Sequence, residues 1–257
     1  MAQVKGTKAP VICLHGFPGL ASDFHRLAAE FTDQRDLYAL PMPWVKGIGF
    51  GVDGFSAVVE YIASVFKATC SQPAHFVGYD IGGVALYWAA RTRFGAEMKS
   101  MTLIAAPHPM SYAHLKTTVE ARGKLQYIDR ILESRDDAAL IGDLLATVSG
   151  RDATVIDDIK VALNGTDFSA IRGLYSQIQA TNPQTFVQET EQVNCPVAVI
   201  HASEDRYIPA GVMQDSVTRF GCRKTTLTLP SDSHYPHLTD PAGVANFVER
   251  FWNALEE

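Results

Sequence analysis

The chain has 257 residues, of which 47% are hydrophobic and 19% charged, with a net charge of -6 and a pI near 5.7. A chain of this length lies near the upper end of single-domain size and buries one large core. Its acidic balance, with no Lys or Arg run longer than a pair, argues against nucleic acid or an anionic membrane as a partner.

The cysteines and the N-terminus favour a cytoplasmic protein. The four cysteines form no C-x-x-C pair, which fits a reduced compartment. The N-terminal residues lack the long apolar stretch of a signal peptide or of a membrane-spanning helix. We therefore expect a soluble protein that acts on a small molecule, and the sequence leaves open whether it is a monomer or a homodimer.

Short apolar runs alternate with amphipathic segments in the first part of the chain. The runs predict strands at Val11–Leu14, Leu37–Leu40, Ala74–Val77 and Ser100–Ala105. The amphipathic segments predict a helix capped by Ser22, and helices at Phe55–Ala68 and Gly82–Thr92. This alternation is typical of a parallel sheet with helices on both faces.

The alternation stops between residues 110 and 191. Apolar spacing near 3.6 residues predicts helices only, in the segments KLQYIDRILESR, DAALIGDLLATV, TVIDDIKVALNG and FSAIRGLYSQIQ. It resumes with strands at Val197–His201 and Thr225–Leu229 and with helices at Val212–Phe220 and Val244–Leu255. We interpret residues 1–109 and 192–257 as two parts of one α/β core, and residues 110–191 as a helical cap inserted into it.

Ligands of open parallel sheets bind beyond the carboxyl ends of the strands, so the loops there are the first place to look for chemistry. The third predicted strand leads into GYDIGG and a helix, which is the strand-turn-helix context of a nucleophile elbow with Asp80 at its tip. An aspartate is ionised at neutral pH and needs no base to attack. Alternatively, Asp80 only caps the following helix.

The chemistry of a carboxylate nucleophile restricts the class of substrate that it can attack. Attack on an ester would give an anhydride, which is uphill, whereas attack on an sp3 carbon with a strained or good leaving group gives a stable ester. Asp80 therefore predicts hydrolysis at an alkyl carbon, and an epoxide above all.

Two later loops supply an acid and a histidine. The strand at Val197–His201 opens into ASEDR, which contains Asp205, and the next strand opens into SDSHYPH, which contains His234. Nucleophile, acid and then His is the chain order of an α/β-hydrolase triad. We choose His234 over His237 because it comes first in its loop, and Asp205 over Glu204, although either carboxylate could orient an imidazole.

The loop after the first strand reads HGFPG. We expect the backbone N–H groups of Phe17 and Ile81 to form an oxyanion hole. His15 is expected to be structural, and His108, in APHP, to buttress the pocket more than to line it.

Together, HGFPG, GYDIGG, LIAAPHP and SHYPHLTDP resemble the epoxide hydrolase branch of the α/β-hydrolase family, from residue 10 to the C-terminus. The resemblance implies a nucleophile at Asp80, a water-activating His234 held by Asp205, and one or two cap tyrosines that protonate the epoxide oxygen. Tyr175 in RGLYSQ resembles the second of these tyrosines, and Tyr127 in KLQYIDR resembles the first less closely. Each could instead be a core aromatic.

Other readings of the same residues remain open. A resemblance to the haloalkane dehalogenases would imply a Trp immediately after the nucleophile, where this chain has Ile81. A haloacid dehalogenase would need an Arg beside the nucleophile. A non-catalytic ligand-binding protein could also use this scaffold. The sequence contains no metal-ligand or dinucleotide motif, so we expect a small apolar epoxide and water as partners, without cofactor or metal.

Overall fold

The computed structural model describes residues 8–32, 35–48, 54–115, 123, 125–148, 155–180 and 193–257. Parts of the predicted cap therefore lie outside the described residues, namely 116–122, 149–154 and 181–192, as do residue 124 and the end of the loop LPMPWVKGIGF.

Six strands form one sheet in the order β2-β1-β3-β4-β5-β6, and each neighbouring pair is parallel. They are β1 Val11–Leu14, β2 Leu37–Leu40, β3 Ala74–Tyr79, β4 Met98–Ile104, β5 Val197–Ala202 and β6 Lys224–Leu229. Every residue of β1, β3 and β5 is buried, whereas burial alternates along the edge strand β6. Continuous apolar runs are therefore central strands here, as a sheet covered on both faces requires.

Eleven α-helices belong to the described part of the chain. They are α1 Phe24–Glu30, α2 Phe55–Thr69, α3 Ile81–Ala90, α4 Pro109–Leu115, α5 Gln126–Glu133, α6 Asp137–Val148, α7 Ile156–Gly165, α8 Phe168–Ala180, α9 Ala210–Arg219, α10 Pro236–Thr239 and α11 Pro241–Glu256. The long helix α11 begins with a proline and has the Asp240 carboxylate as its cap, accepting the N–H of Gly243 at 3.0 Å. None of these helices is long and apolar enough to cross a membrane.

The first helix begins differently from the prediction. The expectation that Ser22 caps it is wrong, because residues Ala21–Asp23 form a 3-10 turn and α1 starts at Phe24. The carboxylate of Asp23 takes the capping role for that turn and accepts the N–H of Leu20 at 2.9 Å. This hydrogen bond closes the 3-10 turn ahead of the helix, so α1 begins after Asp23 and not after Ser22.

The described part of the insertion between α4 and β5 consists of helices joined by short turns, with one isolated β-bridge between Thr166 and Val45. Helices α5 to α8 follow one another there and contribute no strand to the sheet. Contacts with the loop after β2 tie the insertion down: the N–H of Asp167 donates to the carbonyl of Trp44 at 2.7 Å, and the N–H of Lys46 to that of Gly165 at 2.8 Å.

Because the strands are parallel, their carboxyl ends lie along one edge of the sheet. His15 follows β1, Asp80 follows β3, and Asp205 lies in the loop after β5. The loop after β6 carries His234 to the same edge. The topology therefore gathers side chains that are far apart in sequence at a single place.

Candidate active site

Asp80 sits at the turn between β3 and α3 in a strained backbone conformation. Its φ is 49° and its ψ is -123°, a region that residues with a Cβ rarely adopt. The turn is fixed by the N–H of Asp80, which donates to the carbonyl of Ile104 at 2.9 Å, and by the N–H of Val84, which donates to the carbonyl of Asp80 at 3.1 Å. The side chain of Asp80 is therefore presented at the edge of the sheet and is 13% exposed.

Two glycines allow the loop after β1 to approach this turn. A Cβ on Gly16 would lie 2.5 Å from the Cβ of Asp80, and a Cβ on Gly82 would lie 2.6 Å from the carbonyl oxygen of His15. Both distances are shorter than any real contact, so any other residue would push the loop and the turn apart.

His234 lies between two carboxylates. Its Nδ1 is 2.7 Å from Oδ2 of Asp205, and its Nε2 is 3.8 Å from Oδ1 of Asp80. The other oxygen of Asp205 accepts the N–H groups of Tyr207, at 2.7 Å, and Ile208, at 3.0 Å. Asp205 is thus fully engaged, and it fixes the imidazole with Nε2 directed at Asp80.

The two carboxylates control the charge of His234. Burial by itself lowers the pKa of this histidine, but the charge and hydrogen bond of Asp205, and then those of Asp80, outweigh burial and raise the pKa well above its usual value. The imidazolium form is therefore stabilised while both carboxylates are charged.

A backbone N–H already binds the carboxylate of Asp80. The N–H of Phe17 donates to Oδ2 of Asp80 at 3.1 Å. Ile81 is the first residue of α3, where the backbone N–H groups of a helix have no partner within the helix. Both N–H groups of the expected oxyanion hole therefore belong to segments that adjoin Asp80.

Hydrogen bonds to its carbonyl oxygen fix the peptide group that joins Gly16 to Phe17 and carries the Phe17 N–H. The Gly16 carbonyl accepts hydrogen bonds from Nδ1 of His15, at 2.9 Å, and from Nε1 of Trp44, at 3.3 Å. Nε2 of His15 in turn accepts the N–H of Met42 at 3.0 Å. Burial lowers the pKa of His15 to about 4, so the ring is neutral and can accept at Nε2. His15 is thus structural, as expected, and Trp44 shares its role.

A largely apolar pocket opens in front of Asp80. It contains about 770 Å³ of empty space, including its open mouth. Its lining combines aliphatic, proline and aromatic side chains with the carboxylate of Asp80: Phe55, Asp80, Ile81, Val84, Trp88, Pro107, Pro109, Tyr112, Ala113, Tyr127, Tyr175, Ile178 and Ile208.

Tyr127 and Tyr175 both line this pocket. Their side chains share a hydrogen bond, and their rings meet edge to face at 6.3 Å. Burial raises the pKa of both phenols well above the usual value, and the negative charge of Asp80 raises it further. The phenols are therefore protonated and act as donors.

A second, smaller cavity lies on the other side of Tyr127. It contains about 380 Å³ of empty space including its mouth, and its lining includes His234, Tyr207 and Thr147. Tyr127 therefore separates the pocket in front of Asp80 from a chamber that reaches the histidine.

Other candidates from the sequence lie outside this arrangement. His237 is fully buried and stacks on Phe24 at 5.4 Å, and neither of its ring nitrogens has a hydrogen-bond partner among the described residues. Glu204 is exposed to solvent. His108 packs on Tyr87 at 4.5 Å behind the pocket, which is the buttressing position expected for it.

Sequence reasoning missed three residues around the site: Tyr112 in the pocket wall, Tyr207 beside His234, and Trp44 behind the Phe17 peptide. The first two follow β4 and β5 closely, so their position after a strand end was a usable signal. Burial raises the pKa of Tyr112, and the charge of Asp80 adds to the rise. Nothing in the local sequence around Trp44 indicates its contact with Gly16.

The described residues contain no group of three or more His, Cys, Asp or Glu side chains arranged to hold a metal ion. The chemistry that the arrangement can perform is that of a carboxylate, an imidazole, backbone N–H groups and phenols at the end of an apolar pocket.

Comparisons with solved structures find the same fold in several hydrolases. A mutant epoxide hydrolase from Bacillus megaterium, in complex with its diol product, has a TM-score of 0.78 and 19% identity, covering 97% of this chain and 95% of that one. A putative epoxide hydrolase from Pseudomonas aeruginosa has a TM-score of 0.78 and 13% identity, over 98% and 91% of the two chains.

An esterase from Thermogutta terrifontis shares the fold as well, with a TM-score of 0.75 and 14% identity over 98% of this chain and 92% of that one. A comparison with curated protein sequences finds no match. Residues 11–247 match the alpha/beta hydrolase family, which covers the sheet, the elbow and the loops of Asp205 and His234. The chain is therefore a member of the alpha/beta hydrolase family.

Proposed function

We propose that this hydrolase opens epoxides to vicinal diols through a covalent ester on Asp80. The observation that carries the proposal is the carboxylate of Asp80 at the tip of the elbow, facing both His234 and a pocket lined by protonated phenols. The likeness in fold to epoxide hydrolases supports it.

Ester formation needs a nucleophile and an acid. Oδ2 of Asp80 accepts the N–H of Phe17, and Oδ1, which faces Nε2 of His234 at 3.8 Å, is the oxygen that attacks the epoxide carbon. The new C–O bond forms as the C–O bond of the strained ring breaks, and the ring oxygen takes a proton from Tyr175 or Tyr127. A phenol suits this step because it stays protonated near pH 7 and still matches the pKa of a forming alkoxide.

Ester hydrolysis needs a base and an oxyanion hole. His234, oriented by Asp205, removes a proton from water, and the resulting hydroxide adds to the Cγ carbonyl of Asp80. The N–H groups of Phe17 and Ile81 stabilise the negative charge on the carbonyl oxygen. Collapse of this intermediate breaks the bond between Cγ and the alkoxide oxygen, and the alkoxide takes the proton from the His234 imidazolium to complete the diol. The second proton of the water, on the Cγ hydroxyl, restores the tyrosine phenol, and Asp80 keeps one oxygen atom from the water.

The helical insertion belongs to this mechanism as a cap. We assign residues 110–191 to it and residues 1–109 and 192–257 to the core, because the insertion supplies both phenols while the core supplies the nucleophile, acid and base. The substrate would be enclosed between the two.

The test is mass spectrometry of the His234→Gln variant after a single turnover with a panel of aryl and alkyl epoxides and haloalkanes. The first step needs no base, so the ester should accumulate as an adduct of intact epoxide mass on the peptide that contains Asp80. The double variant Asp80→Asn/His234→Gln is the matched control and should give no adduct.

Each other outcome has a defined meaning. An adduct formed from a haloalkane with loss of halide would replace the epoxide proposal with dehalogenation. If no compound gave an adduct while the protein was folded, the covalent mechanism would be wrong, and ligand binding without chemistry would become the better explanation.

A further inference from the structure

The pocket in front of Asp80 shares one wall with a groove on the surface. The groove lies along α2, α3 and the 3-10 turn Arg93–Glu97, and it measures about 1210 Å³ including its open face. Of the residues that line it, Phe55 and Trp88 also line the pocket. These two side chains, which we call the aromatic wall, therefore stand between the pocket and the groove.

The aromatic wall is a packed pair of rings. The rings of Phe55 and Trp88 stack at 6.1 Å with an angle of 20° between their planes. The guanidinium of Arg91, which is 6% exposed, lies 5.3 Å from the centre of the Trp88 ring and holds the indole further. The stacking and the guanidinium contact therefore hold the two rings in place, and a substrate that does not displace them cannot pass from the pocket into the groove.

The spacing of the lining residues along helix α3 gives the length of the pocket. Ile81, Val84 and Trp88 all line it and are spaced as residues on one face of a helix. At 1.5 Å per residue, Trp88 lies about 12 Å along the helix from Asp80. An apolar group that begins at the Asp80 carboxylate therefore meets the aromatic wall after about that distance.

We propose that the aromatic wall of Phe55 and Trp88 determines the longest apolar group that the substrate carries. This inference rests on the proposed function and narrows its substrates to epoxides whose apolar group extends no further than about 12 Å from Asp80. The surface groove beyond the wall contains charged side chains of both signs, including Lys67, Glu60, Arg93 and Glu97. A longer chain would enter this groove only if the wall were removed.

The experiment measures kcat/KM for 1-alkene oxides from butene oxide to dodecene oxide, with the wild type, Trp88→Ala and Phe55→Ala. For the wild type, kcat/KM should rise by roughly fourfold per buried methylene until the pocket is full, and then fall. For the wall variants the maximum should move to longer chains, raising the dodecene-to-butene ratio by about 100-fold. Lys67→Ala, which changes the groove and leaves the pocket intact, should keep the wild-type profile.

The variants Trp88→Leu and Phe55→Val replace any alanine variant that does not fold, as judged by circular dichroism and thermal melting. They remove the stacked rings with less loss of volume, so a smaller shift in the same direction is expected. An unchanged optimum in folded wall variants would overturn the proposal, and so would a wild-type profile without a maximum.

A binding measurement separates this proposal from the proposed function. Titration calorimetry with unreactive primary alkanamides of increasing length reports the depth of the pocket without any reaction. Suppose that epoxides are not turned over but that the longest alkanamide bound changes in the wall variants. The proposed function would then be wrong, and the proposal for the aromatic wall would be supported. If epoxides are turned over and neither length limit moves, the wall is wrong and the function stands.

Discussion

At the scale of single residues, the proposed mechanism depends on two different ways of holding a proton. Tyr175 lies in a largely apolar pocket where burial keeps the phenol protonated, whereas His234 holds its proton because two flanking carboxylates raise the pKa of its imidazole. A phenol of this kind is suited to be an acid in the first step. The histidine must lose its proton before it can act as a base in the second.

The role of Tyr175 can be tested by Tyr175→Phe. The variant should form the Asp80 ester about 100-fold more slowly, because an epoxide without a proton donor opens slowly. Decay of the ester should be unchanged. Rapid-quench single-turnover kinetics measures both phases, and Tyr38→Phe on β2 is the control. Equal rates of ester formation in wild type and variant would remove Tyr175 from the mechanism.

The charge of Asp80 should control the pKa of His234. Ester formation neutralises Asp80, so one of the two charges that raise the pKa of His234 disappears and the pKa falls. The histidine thus becomes a free base more readily at the step that needs one. NMR titration of the imidazole should give a lower pKa in Asp80→Asn, which mimics the neutral ester, than in the wild type.

The same shift should be visible in kinetics. The rate of ester decay should increase with pH through a pKa below that of His234 in the free wild-type enzyme, since only the neutral imidazole removes a proton from water. Identical pKa values in wild type, Asp80→Asn and ester decay would show that Asp80 does not influence the histidine.

At the scale of elements, the last helix is fastened to the amino end of the sheet by a buried polar cluster. Glu256 of α11 pairs with Arg35 at 2.8 Å and with Nε2 of His75 at 3.1 Å. Nδ1 of His75 lies 2.7 Å from the hydroxyl of Ser100 on β4. This cluster joins the C-terminal helix to two central strands at the end of the sheet opposite Asp80.

Glu256→Gln should lower the free energy of unfolding by at most about 1 kcal/mol at pH 7, because the charged acceptor for Arg35 is lost but solvent screens this partly exposed pair. Burial raises the pKa of Glu256, but hydrogen bonds from Arg35 and His75 outweigh it and lower the pKa to about 2. This stabilisation is therefore present above the unfolded-state pKa of 4.5 and is lost as the pH falls toward about 2.

Urea unfolding at pH 7 and pH 3 measures the difference, with the neighbouring surface change Glu257→Gln as the control. The gap between Glu256→Gln and wild type should shrink at the lower pH. A gap that is independent of pH would mean that the carboxylate charge contributes nothing.

Element boundaries illustrate what the sequence alone can predict. The apolar runs placed β1 and β2 at their observed bounds, because Pro10 and His15 flank the first run and Asp36 and Pro41 flank the second. The run at Ala74–Val77 stopped short of Tyr79, because Gly78 is typical of a turn. In the structure, Gly78 and Tyr79 pair with Leu103 and Ile104 on β4, and this long-range ladder extends the strand.

The residues of the candidate site also fall into those that the sequence can predict and those that it cannot. Order along the chain and position after strand ends led to Asp80, Asp205 and His234, since a parallel sheet brings such loops together. The aromatic wall and Trp44 depend on how helices and irregular loops pack on one another, and no local pattern encodes that packing. Tyr112 differs from these two, because it follows the end of β4 closely and the signal that led to Asp80 applies to it as well.

At the scale of the whole molecule, neutral buried histidines make the fold sensitive to acid. Burial lowers the pKa of His15, His75 and His108 to about 4, and that of His237 to about 3, from an ordinary value of 6.5. Each stays neutral in the folded protein at a pH where the unfolded chain takes up a proton. Stability therefore falls as the pH drops from 6.5 toward 4, by about 1.4 kcal/mol per pH unit for each proton taken up.

His234 has the opposite sign, since its pKa is raised, and it stabilises the fold most below pH 6.5. The pKa of His201 is lowered by burial as well, whereas burial raises the pKa of Asp23 to about 7, which gives Asp23 the same sign as His234. Five groups against two leave a net loss of stability in acid. Urea unfolding should give a clearly lower free energy at pH 5 than at pH 7, and His108→Gln should reduce the difference. Equal stability at the two pH values would mean that these histidines are protonated in the folded state.

The two hydrogen bonds on the Gly16 carbonyl have a consequence for how mutations in this protein would be classified. Trp44 is almost fully buried and never touches the pocket, so a change there would ordinarily be counted as a packing defect. Yet the peptide that it restrains supplies the N–H that faces Asp80. In the proposed mechanism the N–H dipole of this peptide is oriented when the protein folds, before substrate binds. Packing in the core thus preorganises the oxyanion hole. Damage to the core at this point would be recorded as a slower reaction as well as a lower melting temperature.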